Sequence, residues 1–282
     1  METQNISLIE YFNDHYYKVV EDDNVFFIPS VTTKLGIIDK PQLNRWRGDI
    51  GNREADLRMY EAANRGKRIH WAYETFLKGG VVIYDPWQKP THSESDIEKL
   101  RVMFGQVAIL RTQDEMIDVW KLQRQYELLG KPKILAVEQM VYDTIGMDAG
   151  TIDNILEIKE GEYPVSGVKP LVLEEGIYIN DLKTGKYVDD RVWLQLAPYG
   201  FMYERMTGKR IAGALVSHTG ATIRGGIQGL KTMFRSRKQL LGDDYDDYRF
   251  ASQLWLREHR DDKPQEFQFP SLITLNLKEP KP

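Results

Sequence analysis

Residues 177–185 read Ile-Tyr-Ile-Asn-Asp-Leu-Lys-Thr-Gly, a stretch that joins an apolar run to two opposite charges. Its first half is apolar and rich in β-branched residues, which favours a buried strand. Side chains alternate between the two faces of a strand, so Asp181 and Lys183 must point to the same face. Opposite charges side by side at the end of an apolar strand are costly unless they pair closely or have a chemical task.

The composition limits what that task can be. The 282 residues suffice for one large domain or a domain with a modest extra lobe. The chain contains no cysteine, which excludes disulfides, zinc–thiolate sites and cysteine-held iron–sulfur clusters. A metal would therefore need oxygen or histidine ligands, which favours Mg²⁺ or Mn²⁺.

The ends and the charge distribution indicate the compartment and the partner. The first ten residues do not resemble a signal peptide, and no window has the roughly 18–20 apolar residues of a membrane span, so we expect a cytoplasmic protein without a membrane partner. The net charge is −4, yet residues 205–238 contain eight Lys or Arg and no Asp or Glu. This basic segment could follow a phosphate backbone; a solvated helix face is an equally good interpretation.

Hydrophobic patterns predict a mixed series of elements. Strands are expected at 25–28, 134–142, 150–158, from 177, and at 211–217; helices are expected at 43–77 with interruptions, from Ser93 or Ser95 to 129, from Asp189 or Asp190 to 206, and at 248–259. Asp153 and Asp181 should lie on neighbouring strands of a hairpin-like pair. Pro198 should kink or break its helix.

Two residues on other elements each allow two interpretations. His70 flanks an apolar helical stripe, with Glu74 one turn later. It is either a metal ligand or, more commonly for such a residue, an edge-of-core histidine bonded to Glu74. Glu138 interrupts an apolar strand and is either part of a site or a solvent-facing glutamate paired with a basic neighbour.

Together these residues suit phosphodiester hydrolysis. Two acidic oxygens and a backbone carbonyl can hold a hard divalent cation, and a nearby lysine can orient or deprotonate the attacking water. If the side chain of Leu182 points into the core, its carbonyl can turn towards the metal.

Four motifs in this order resemble those of the PD-(D/E)xK nuclease superfamily, in its RecB-like exonuclease branch. They are Gly-Lys-Arg-Ile-His at 66–70 (G-x-x-x-H), Gly-Thr-Ile-Asp at 150–153 (G-x-x-D), Asp-Leu-Lys-Thr-Gly at 181–185 (D-x-K-T) and Gln-Leu-Ala-Pro-Tyr at 195–199 (Q-x-x-x-Y). With Pro-Ser-Val-Thr at 29–32 and Leu-x-x-Trp at 43–46, the chain is most similar to the mitochondrial genome maintenance exonuclease type and its phage-encoded relatives. The similarity covers about 29–217.

The resemblance implies an α/β fold with a restriction-endonuclease-like core, in which helices flank a central mixed sheet. One nuclease domain would fill 1–282, with its core at about 29–217, a helical insertion at about 81–133 and a basic C-terminal extension at about 218–282.

The implied metal ligands are His70, Asp153, Asp181, the carbonyl of Leu182 and, as a further candidate, Glu138. The implied catalytic residues are Lys183, Asp181, Asp153, Gln195 and Tyr199. The residues expected to bind DNA are Ser30, Thr32, Arg45, Lys67, Arg224, Lys231, Arg235, Arg237 and Lys238.

The implied activity is that of a Mg²⁺- or Mn²⁺-dependent DNA exonuclease with one or two ions, acting on DNA with a single-stranded end in recombination, repair or replication. Alternatives are a structure-selective endonuclease on the same core and a non-catalytic DNA-binding module. Many relatives carry an iron–sulfur cluster held by cysteines, so this chain resembles the cluster-free subset. A bacterial or phage-infected cell is the expected setting, and any protein partner is unknown.

Overall fold

A three-stranded antiparallel sheet precedes the first helix. The computed structural model describes residues 6–11, 14–165, 169–221 and 227–266. Its first strands are β1 (Ile6–Tyr11), β2 (Asp14–Glu21) and β3 (Asn24–Pro29), paired in the order β1-β2-β3. The sequence predicted only the third of them. Tyr17, Val19 and Ile28 of this sheet pack on the hairpin that follows later in the chain, near Ala149.

Three helices come next: α1 (Val31–Lys34), α2 (Pro41–Ile50) and α3 (Asn52–Leu77), with a 3₁₀ turn at Leu35–Ile37. Ser30 caps α1, because its hydroxyl accepts a hydrogen bond from the backbone N–H of Thr33 at 3.0 Å. Helix α3 buries Ile69, Ala72 and Tyr73, so the predicted amphipathic stripe is present.

The segment predicted as a helical insertion contains a small parallel sheet as well as helices. Its elements are β4 (Val81–Tyr84), α4 (Glu94–Phe104), β5 (Val107–Leu110) and α5 (Gln113–Leu128). The expectation of helix from Ser93 or Ser95 onward therefore missed a strand. Ala108 and Leu110 on this strand are fully buried against α3, and burial in that cluster outweighs the helical pattern around it.

The central sheet has five strands in the order β12-β11-β10-β7-β6. These are β6 (Lys133–Asp143), β7 (Asp148–Ile158), β10 (Gly176–Lys183), β11 (Ile211–His218) and β12 (Lys231–Ser236), with the small pair β8 (Gly161–Tyr163) and β9 (Leu171–Leu173) between the second and third. Only β10 and β11 run parallel, so the sheet is mixed. The predicted strands at 134–142, 150–158 and 211–217 are confirmed.

Helices flank this sheet on both faces, and the α/β architecture is confirmed. Helix α6 (Arg191–Thr207) packs on one face with the C-terminal α8 (Tyr245–Glu258), next to the short α7 (Arg237–Gln239) and a π turn at Leu240–Asp244. Helices α3 and α5 pack on the other face, where the side chain of Leu182 belongs to their hydrophobic cluster. Helix α6 continues through Pro198 without a break and ends at Gly208 in the left-handed conformation. Among the described helices, none is both long and apolar enough to cross a bilayer.

Buried polar contacts join the first and last helices to β7. The Lys34 ammonium lies 2.6 Å from Asp148 Oδ1 and 3.0 Å from the Ser252 hydroxyl. Tyr248 also donates to Asp148. The Lys34 side chain is fully buried, and this desolvation lowers its pKa despite the neighbouring carboxylate.

Candidate metal centre and active site

The site lies where β10 separates from β7. Strand β10 pairs with β7 only as far as Asn180 opposite Asn154, whereas its pairing with β11 continues to Lys183 opposite His218. The carboxylate of Asp153 fills the gap, because its Oδ2 accepts a hydrogen bond from the backbone N–H of Leu182 at 2.6 Å. Asp153 and Asp181 therefore lie on neighbouring antiparallel strands, as predicted.

Helix α3 brings His70 over this gap. Its Nε2 lies 3.1 Å from the Leu182 carbonyl oxygen, and its Nδ1 lies 3.6 Å from Asp153 Oδ2. The side chain of Leu182 is buried in the same cluster as Ile69, which turns the Leu182 carbonyl towards the histidine. Glu74 pairs with Lys78 at 2.5 Å, so the interpretation of His70 as a core histidine bonded to Glu74 is not what the structure shows.

Glu138 joins the same group from β6. Its φ of 52° lies in the left-handed region, between neighbours that pair with Asn154 and Ile152 of β7. A non-glycine residue in this conformation costs about 1–3 kcal/mol, and such residues are concentrated at functional sites. His70, Glu138 and Asp153 each offer one ligand atom, and these atoms lie within 4.8 Å of one another.

The two carboxylates of this group hold their protons unusually tightly. Desolvation raises the pKa of Glu138 to about 7, and the charges of Asp153 and Glu74 add to the effect. Desolvation and the charge of Asp181 raise the pKa of Asp153 to about 6. A bound cation would relieve this crowding of anions, because it favours the ionised carboxylates.

Asp181 faces a different set of partners. The Lys183 ammonium lies 3.0 Å from its Oδ1 and 2.7 Å from its Oδ2, and the Gln195 amide donates to Oδ1 at 3.3 Å. The close group of three possible ligands does not include Asp181. Burial alone would lower the pKa of Lys183, but the charge and the hydrogen bond of Asp181, together with the charge of Asp153, outweigh burial and leave that pKa raised. Lys183 is therefore a cation at neutral pH.

Tyr199 forms a wall of the site. Its ring lies against Gly150, where an added Cβ would sit 2.1 Å from the tyrosine Cε1. This contact explains the glycine of the G-x-x-D motif. Burial raises the pKa of Tyr199 well above its ordinary value, so the phenol keeps its proton. One turn earlier on α6, Gln195 accepts from Lys183 at 3.4 Å.

The residues expected to bind DNA differ in their exposure. Ser30 is buried as a helix cap, with its hydroxyl 3.0 Å from that of Thr32, which is exposed. Arg45 on α2 and Lys67 on α3 are also exposed.

The described parts of the basic segment include the end of α6, the interior strand β11 and the edge strand β12. Lys231 lies opposite His218, at the end of the sheet that carries Lys183. Arg235 pairs with Asp244, and Arg237 makes two 2.7 Å contacts with Glu204. These two arginines are thus occupied by structural ion pairs. Lys238 is exposed, and Arg224 lies outside the described residues.

Three charged residues near the site were not singled out from the sequence. Arg65 and Lys121 both bind the buried carboxylate of Asp118 on α5, and Arg65 also donates to the carbonyl of Thr184 at 3.4 Å. The sequence signal that could have found Asp118 and Lys121 is their three-residue spacing after Glu115 on one helix, whereas Arg65 lies on another helix and has no such signal.

The chain matches no protein-family model, and comparison with curated proteins finds no match.

Proposed function

We propose that this protein is a metal-dependent DNA exonuclease that hydrolyses phosphodiester bonds at free ends with a single-stranded character, on a core of the PD-(D/E)xK type. One observation carries the proposal. Ligand atoms of His70, Glu138 and Asp153 lie within 4.8 Å of one another beside a lysine held on the next strand. A purely structural ion pair of Asp181 and Lys183 would leave this convergence without an explanation.

The donor set fits a hard divalent cation. Two carboxylates and one imidazole surround the position, and the Leu182 carbonyl faces it from beside His70. Oxygen ligands with one histidine suit Mg²⁺ or Mn²⁺. When bound, such an ion lowers the pKa of its water ligand and neutralises charge on the transferring phosphate. The raised pKa values of Glu138 and Asp153 support the fit, because burial first and the neighbouring carboxylates second disfavour their ionised forms, and a cation would offset both effects.

The protein's own residues supply position and charge. Lys183 stays protonated, which suits orienting a nucleophilic water and offsetting phosphate charge better than removing a proton. Asp181 and Gln195 fix its ammonium by contacts of 2.7–3.4 Å. Tyr199 closes the site behind Gly150. Asp181 is near enough to Asp153 to influence its charge and is the natural ligand if a second ion binds.

Digestion of end-labelled DNA tests the proposal. Linear single-stranded, linear duplex and circular single-stranded DNA are incubated with Mg²⁺ or Mn²⁺. We expect shortening of the linear single strand, no cleavage of the circle, and no reaction in EDTA. Cleavage of the circle would instead support the structure-selective endonuclease.

Variants assign the reaction to this site. Asp181→Asn and Lys183→Ala should abolish degradation while the protein remains folded. Lys133→Ala is the matched control, because Lys133 is exposed and pairs with Glu157 at the far end of β6. Degradation by both site variants at the wild-type rate would refute the assignment, and DNA binding without cleavage by the wild type would favour a non-catalytic module.

A further inference from the structure

Four cations from α3, from α5 and from the residues just before α5 form a row, and each is held by a buried carboxylate. Each carboxylate is at most 5% exposed, whereas the cations that they hold are 15–48% exposed. The pairs are Asp85 with Arg111 at 2.7 Å, Glu115 with Arg68 at 2.7 Å, and Asp118 with both Arg65 and Lys121. Each buried carboxylate fixes the position of its cation, while the cation keeps further N–H donors that can bind a ligand.

One end of this row is attached to the strand of the catalytic lysine. Arg65 donates to the carbonyl of Thr184, the residue after Lys183, at 3.4 Å. Lys121 donates to the carbonyl of Thr219 at 2.9 Å, and the N–H of Thr219 donates to the Lys183 carbonyl at 3.0 Å. Arg65 and Lys121 are therefore held at fixed positions relative to the proposed site.

The other end carries an exposed tryptophan. Trp87 is 75% exposed, and the guanidinium of Arg111 lies 3.9 Å from the centre of its ring. The loop around it is rigidly built, because Asp85 Oδ1 accepts hydrogen bonds from the backbone N–H groups of Thr91 and His92 at 2.6 and 3.1 Å. A buried carboxylate and an arginine thus hold a solvent-facing indole in place.

We propose that Trp87 and this row of cations form a track for single-stranded DNA that leads to Lys183. The inference rests on the proposed function and names the surface that its substrate follows. Glu115 and Lys121 are six residues apart on a helix, a rise of about 9 Å, and with the Trp87 loop the track suits about two or three nucleotides. An aromatic platform followed by cations is how proteins bind single strands without reading sequence.

The chemistry of the surroundings favours a nucleic acid over a protein partner. Gln88 and Lys89, which follow Trp87, are exposed and polar, so the loop presents hydrogen-bonding groups and a positive charge beside the indole. The buried carboxylates cancel part of the field, and the track contributes directed donors more than net charge. This arrangement suits phosphates at fixed spacing.

Stacking of a base on Trp87 is tested by measuring the binding of labelled dT12 in EDTA, where no hydrolysis occurs. We expect Trp87→Ala to weaken binding at least about fivefold, the lower end of the contribution of one stacked base, and Trp87→Phe to recover most of it. The matched control is Trp120→Ala, which removes a 49% exposed tryptophan from α5, away from Asp118. Equal affinities for the wild type and Trp87→Ala would overturn the track.

The role of the cations is tested by the salt dependence of dT12 binding in the double variant Arg68→Gln with Glu115→Gln. This variant removes both charges of one ion pair and leaves no unpaired buried carboxylate. The slope of log affinity against log salt should become shallower by about 0.7, because one phosphate of the strand is no longer neutralised. An unchanged slope and affinity would contradict the track. If the wild type binds dT12 but never cuts it, the proposed function fails and the track stands. If it cuts while both variants bind normally, the track alone fails.

Discussion

Asp153→Asn should make the metal-free protein more stable at neutral pH, although it removes a residue at the centre of the site. The pKa of Asp153 is about 6 in the folded protein against an ordinary value of 3.8. The folded state thus binds this proton more tightly than the unfolded chain. As pH rises from about 4 to about 6, the wild type must ionise a desolvated carboxylate beside Asp181, and its free energy of unfolding falls.

The magnitude follows from the difference between the two pKa values. At about 1.4 kcal/mol for each tenfold change in proton affinity, the difference corresponds to about 3 kcal/mol at full ionisation. Asparagine cannot ionise, and its amide oxygen can still accept the hydrogen bond from Leu182. We therefore expect the stability of Asp153→Asn relative to the wild type to increase by about 2–3 kcal/mol between about pH 4 and about pH 7.5.

Denaturant unfolding in EDTA at several pH values measures this difference. A constant offset between the two proteins is allowed, since the substitution also changes packing; only the dependence on pH carries the prediction. Added Mn²⁺ should stabilise the wild type at the higher pH and leave Asp153→Asn unchanged. A stability difference that does not change with pH would refute the claim that the site raises the pKa of Asp153 in the folded protein.

Two further substitutions test the packing around the site. Gly150→Ala should cost about 1–3 kcal/mol of folding free energy and impair cleavage, because the new methyl group overlaps the ring of Tyr199; a variant as stable and active as the wild type would contradict the close contact. Lys34→Ala should cost about 3–5 kcal/mol, because it leaves the buried carboxylate of Asp148 without its cation. Unfolding midpoints measure both, and adding Asp148→Asn should recover part of the stability that Lys34→Ala removes, whereas purely additive effects would count against the ion pair.

The positions of the motif residues on strands and helices were largely predictable. Strand alternation places Asp181 and Lys183 on one face, and the apolar stripe of α3 fixes which side His70 flanks. These are local properties of short segments, and the structure confirms them. The presence of Glu138 in the group was left open, because a left-handed residue inside a β-branched strand has no sequence signal.

Contacts between segments that are distant in the chain could not be predicted from the sequence. The sequence allowed the basic segment to be either a DNA-binding surface or a solvated helix face, yet Arg235 and Arg237 form ion pairs with Asp244 and Glu204 on separate elements. Their pairing depends on how α6 and the C-terminal helices pack against the sheet. The strand Val107–Leu110 was missed for a related reason, since it is stabilised by burial against α3 and by its parallel neighbour β4.

Calorimetric titration of Mn²⁺ into the wild type and into Glu138→Gln tests the central claim most directly, that His70, Glu138 and Asp153 hold a divalent cation. Because both carboxylates have raised pKa values, binding at about pH 6 should release protons to the buffer, and fewer should be released at about pH 8. Glu138→Gln should bind at least about tenfold more weakly, a weakening of about 1.4 kcal/mol, and should release fewer protons. Absence of binding to the wild type, or equal affinity and proton release in the two proteins, would contradict the account.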